Sequence, residues 1–115
     1  MEKDFYMSIV DAERFYGNSP FKTGEIVKIV KNRGNGDMLY DMRATIPMLG
    51  TVGRVAKKGD KVVEGTLYAE EFYKKIGDFA YAQIMFTAEG VIIGKILLPK
   101  EVKRTPYVKA YRKRS

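Results

Sequence analysis

Residues 21–55, FKTGEIVKIVKNRGNGDMLYDMRATIPMLGTVGRV, constrain the fold more than any other stretch. A turn at Lys22-Thr23-Gly24 launches an apolar run, Ile26 to Val30, in which only Lys28 is clearly outward. A second turn, carrying Gly50 and Gly53, launches another run through Val52 and Val55. β-Branched side chains suit a pleated, half-buried surface. Between the two runs lies a loop tip, residues 32–37, with Gly34, Gly36 and no apolar residue. Two strands opened by glycine turns and separated by a long loop predict a small, strongly bent β-barrel.

Around this stretch the chain reads as mostly β with minor α. Residues 7–16 predict a short helix, with Ser8 and Asp11 in capping-box spacing and an apolar stripe from Ile9 through Phe15. That helix is expected to close an open end of the barrel. Residues 38–45 return as a strand, Ile46-Pro47-Met48-Leu49-Gly50 turns, and residues 51–56 resume the sheet. The polar turn Lys57-Lys58-Gly59-Asp60 predicts a hairpin leading into a strand at 61–68. Residues 69–76 read as one or two helical turns, with Glu70–Lys74 and Glu71–Lys75 as solvated i, i+4 pairs. Residues 78–87 and 91–98 predict a hairpin added to the barrel, apolar on both faces. Phe79, Tyr81, Gln83 and Met85 share one side, and Ala80, Ala82, Ile84 and Phe86 the other. One face of this hairpin could be covered by another subunit, which leaves a homo-oligomer open.

With 115 residues the chain has room for one packed domain, expected at 1–99, followed by a basic, flexible tail at 100–115. Cysteine and histidine are both absent, so there is no disulfide, no thiolate metal site and no imidazole base. No apolar run reaches the roughly 18–20 residues that span a bilayer. The expectation is a cytoplasmic protein with no membrane partner, no metal and no cofactor. Nor is an enzyme expected. The glycines at 34 and 36 lack the lysine of a phosphate-binding loop, and Gly50 to Gly53 sits between strands, where a turn explains it.

The pairing of Gly24-Glu25-Ile26-Val27-Lys28-Ile29 with Gly50-Thr51-Val52-Gly53-Arg54-Val55 resembles the strand–turn pattern of SH3-like barrel domains. These include KOW-type modules and small barrel proteins encoded by bacteriophages. The Met42 segment and the Met48-Leu49-Gly50 turn are similar to the phage versions. The resemblance covers about a third of the chain. It implies an SH3-like small barrel and, if phage-encoded, a place in the host cytoplasm.

Charge placement points to a partner. The net charge is +7, yet residues 100–115 hold seven basic residues and only Glu101 as an acid, so the body is nearly neutral. The tail alternates Lys100, Lys103, Arg104, Lys109, Arg112, Lys113 and Arg114 with Tyr107 and Tyr111. Cations displace counterions from phosphates, and tyrosine rings stack on exposed bases. This pattern predicts nucleic-acid binding, with RNA or single-stranded DNA ahead of duplex. Arg43, Arg54, Lys57 and Lys58 near the barrel rim would extend the footprint. The alternative is a phage-type protein-interaction module, a modulator of a host protein or a virion or assembly component. It would use the barrel loop and sheet face, with Met38, Leu39, Tyr40 and Met42 as an adaptable contact surface.

Overall fold

Alternation, not helical spacing, governs the N-terminal segment. The computed structural model describes residues 5–32, 40–60, 63–88 and 90–97. In it Phe5–Val10 is a strand, β1, and only Ala12–Arg14 forms a 3-10 turn. Met7 and Ile9 point into the core, fully buried. Ser8 faces the other way and shares a 2.8 Å hydrogen bond with Thr66. The expected helix at 7–16 is therefore corrected. Its apolar stripe joined the inward residue of a strand, Ile9, to two residues of the following turn, and Phe15 is exposed. Asp11, the presumed capping partner, adopts a left-handed conformation (φ 61°) at the strand's exit.

Three strands then run as a meander: β2 (Ile26–Lys31), β3 (Met42–Ile46) and β4 (Gly50–Val55). Two more follow, β5 (Phe79–Ala88) and β6 (Val91–Ile96). All pairings are antiparallel, and the barrel closes in the order β1-β4-β3-β2-β5-β6. Strand β5 returns beside β2 after the β2-β3-β4 meander, which is a Greek-key connection. Closure leaves no strand edge unpaired at the seam, because β1 bonds β6 on one side and β4 on the other. The β5–β6 pair is thus not an appendage on the barrel, as expected, but two of its six staves.

The strand expected at 61–68 is also absent from its described part. Residues 63–66 turn, with the Thr66 amide on the Val63 carbonyl, and Leu67 makes one parallel bridge to Met7. This segment lies along β1 where β4 has already diverged, and supplies the Tyr6 carbonyl with the Leu67 amide at 2.8 Å. A backbone acceptor is satisfied there without a further strand.

The core runs through the barrel from Met7, Ile9, Val27, Ile29 and Met42 to Val52, Val55, Ile84 and Ile92, with each end closed by a plug. At one end Ala12 and Phe21 turn inward from the β1–β2 connection. At the other, the helix α1 (Ala69–Phe72), continued as a 3-10 turn at Tyr73–Lys75, inserts Phe72, which is 1% exposed. Its acids accept backbone amides. Glu71 accepts the Tyr68 amide at 2.9 Å, and Glu70 accepts the Lys58 amide at 3.1 Å. Carboxylates near a first helical turn gain from amides that have no partner within the helix.

Gly53 shows why the glycine pattern carries the fold. A Cβ there would lie 2.6 Å from Ile9 Cγ2 and 3.3 Å from the Val10 carbonyl, so β1 crosses β4 where no side chain fits. No helix among the described residues is long and apolar enough to cross a membrane.

Candidate nucleic-acid interface

The outer face of the barrel across β3 and β4 carries the rim cations as cross-strand neighbours. Arg43 stands opposite Arg54, and like charges in that position repel. Three aspartates resolve the conflict. Arg54 Nε donates to Asp11 at 2.6 Å, and its two terminal nitrogens donate to the two oxygens of Asp60 at 2.7 and 3.1 Å. Arg43 Nε donates to Asp41 at 2.8 Å, and Lys57 Nζ lies 3.8 Å from the same carboxylate. The left-handed backbone at Asp11 turns the chain out of β1 beside Arg54.

These pairs shift the titration of their members. Hydrogen bonds from Arg54 hold the Asp60 carboxyl below its ordinary value, against a smaller opposing effect of burial, and the Lys57 amide assists. Burial opposes ionisation of Asp41, but Arg43, the Asn32 side chain and the charge of Lys57 together outweigh it and hold this carboxyl low as well. Arg54 is raised, chiefly by Asp60, and stays charged at every accessible pH. Arg54 and Lys57, read from the sequence as phosphate contacts, are thus held in a carboxylate network. Lys58 is exposed in the turn after β4. The tail residues Lys100, Lys103, Arg104, Tyr107, Lys109, Tyr111, Arg112, Lys113 and Arg114 lie outside the described residues, as do Met38 and Leu39.

The remaining two residues of the expected protein contact are placed by packing. Met42 is fully buried in the core, which corrects its assignment to a surface, because the first residue of β3 points inward. Tyr40 is half-buried and meets Tyr73 edge to face at 5.2 Å between centroids.

Sequence reasoning missed a second set of contacts, in which lysines are laid over aromatic rings. Lys28 Nζ sits 4.4 Å from the centroid of Phe79, Lys31 Nζ 4.2 Å from Tyr73, and Lys75 Nζ 5.3 Å from Phe5. Lys31 also donates to the Ile76 carbonyl at 3.0 Å. Such contacts combine a cation with a π-face. Their members are remote in sequence, so no local signal joins them. Phe79 is 46% exposed and packs edge to face on Tyr81 at 5.6 Å. Comparison with family models, curated proteins and solved structures finds no match for this chain. Its function rests on the chemistry of these surfaces.

The opposite end of the barrel is apolar at its rim. Met48, 83% exposed, and Leu49 form the β3–β4 turn beside Tyr16, whose hydroxyl reaches the Leu49 carbonyl at 3.4 Å, and Phe15 precedes it. The Leu49 amide bonds the Ile46 carbonyl, and Met48 has φ 77°. That is the turn position where glycine is normally found. Among the described residues, no group of three or more acidic side chains is placed to hold a metal ion.

Proposed function

We propose that the protein is a non-enzymatic binding module that contacts single-stranded nucleic acid through its basic, tyrosine-containing C-terminal segment, on a small barrel of the SH3-like kind. The separation of charge supports this reading most directly. Arg43, Arg54 and Lys57 on the barrel are matched by Asp11, Asp41 and Asp60, while residues 100–115 hold seven cations and one acid. Cations already committed to carboxylates release few counterions from a phosphate chain. Those of the tail carry the electrostatic affinity. The test is a titration of a labelled 20-mer of thymidine with the full chain and with a chain ending at residue 99. The full chain should bind with an affinity that falls steeply as salt rises, and the shortened one should not. Equal binding by both would sink the tail reading.

The apolar rim favours a second reading, that of a protein-interaction module. Phe15, Tyr16, Met48 and Leu49 expose aromatic and thioether surface at one end of the barrel, with Glu13 and Arg14 beside them as opposite charges. A near-neutral apolar tip suits a protein pocket better than a phosphate chain. A stoichiometric protein partner that survives nuclease treatment and is lost with Met48→Asp would support this reading, and capture that ignores the substitution would remove it.

A further inference from the structure

We infer that the outer face of β5 and β2 is a base-stacking platform, with Phe79 as the stacking ring and Lys28 as its phosphate partner. The inference rests on the nucleic-acid reading and adds a surface on the barrel to it. Phe79 opens β5 and faces outward opposite Val30, while Tyr81, two residues on, lies opposite Lys28. An exposed phenylalanine on a strand is costly to solvate, and here it is not isolated. Tyr81 packs against its edge, and with Ile26 and Leu97 forms a small buried cluster outside the barrel core, so the platform has a rigid base. The Lys28 ammonium lies over the ring, 4.4 Å from its centroid.

The path of the chain adds an independent argument. The last described residue, Leu97, donates its amide to the Tyr81 carbonyl at 2.9 Å, at the base of this platform. Lys100 follows three residues later, within about 11 Å of chain. That bound lets a strand held by the cations of residues 100–115 reach Phe79. Every base has a π-face, so an exposed ring beside an ammonium suits a single strand without regard to sequence. A duplex hides those faces.

The experiment uses the full chain. It contains no tryptophan, so Phe79→Trp introduces one emitter at the platform. Titration with a 20-mer of thymidine should quench that emission. Phe79→Ala should weaken binding roughly 5- to 100-fold, the range for loss of one stacked base, with an unchanged salt slope and unchanged affinity for duplex. Lys28→Gln should instead lower the salt slope by about one. Phe79 is half-exposed, so both variants should fold, and thermal melts verify it. Binding of Phe79→Ala at the wild-type level, or an indole emission in Phe79→Trp untouched while the oligomer binds, overturns the platform and leaves the tail reading standing. If the wild-type chain binds no oligonucleotide at low salt, both fall together.

Discussion

The two ends of the barrel are closed by the same device and finished in opposite ways. Each receives one phenylalanine from a crossover connection, Phe21 at one end and Phe72 at the other, and both are buried. Around Phe72 the surface is cationic and aromatic, with Lys31 over Tyr73 and Lys75 over Phe5. Around Phe21 the rim is apolar, with Tyr16, Met48 and Leu49 exposed. The plugs are interchangeable in physical role, since any buried ring fills a barrel mouth. The rims are not, because what a surface binds depends on its charge and on which groups the neighbouring loops leave exposed.

The largest effect expected is at the plugs themselves. Phe72→Ala should destabilise the protein by roughly 3–5 kcal/mol, read as a fall in the denaturant midpoint, because a closed barrel cannot collapse onto the cavity. If the loss is under about 1 kcal/mol, α1 is a lid and not part of the core. Gly53→Ala should come next, since the new Cβ meets Ile9 and a backbone carbonyl, neither able to move far. Gly94→Ala is the control. Its Cβ would meet the mobile end of Met7 at 2.9 Å, so the loss should be visibly smaller.

A smaller effect distinguishes the networked face from the lysine–aromatic one. Arg54→Met leaves Arg43 without its like-charged neighbour but strips Asp11 and Asp60 of their donor, and should cost roughly 1–3 kcal/mol. The same variant alters the acid limb of the stability curve. Asp41 and Asp60 have carboxyls lowered in the folded state, so their contribution is fully present above the unfolded value near pH 4 and is lost as pH falls through the lowered values. Wild-type stability should therefore drop below about pH 4, and Arg54→Met should lose the Asp60 share of that dependence while keeping the Asp41 share, which Arg43, Asn32 and Lys57 set. An identical acid limb in both proteins would show that the network does not set it.

The smallest effect has the most diagnostic sign. Met48→Gly should stabilise the fold by roughly 0.5–1 kcal/mol, because a left-handed turn position no longer carries a side chain. A gain in the melting temperature together with loss of a protein partner would mark the apolar rim as a surface kept at the expense of stability. A loss would mean that Met48 is held by packing instead.

The strands of the central stretch were legible because β-branched runs and glycines act locally. Ile26 to Val30 and the turn through Gly50 appear where the residue types alone place them. The N-terminal strand was not legible. Its alternation lasts only from Met7 to Val10, and the apolar residues beyond it mimic a helical period across a turn. The pairing of β1 with both β4 and β6, which closes the barrel, depends on contacts between distant parts of the chain that no local pattern encodes. The bulge between Ile84 and Phe86 likewise shifts the register and leaves Phe86 half-exposed, where simple alternation would bury it with Ala82 and Ile84.

Charge divides in the same way. The order of residues is enough to show that the chain is basic, that the excess lies after residue 99, and that no thiol or imidazole is available. Those are sums over residues and need no coordinates. Which cations are matched is settled by the folded chain alone. Asp11 reaches Arg54 across 43 residues of chain, and Lys28 meets Phe79 only because β2 and β5 are neighbours in the closed sheet. Coulomb energy and ring contacts act over a few ångströms of space, a distance that separation along the chain does not measure.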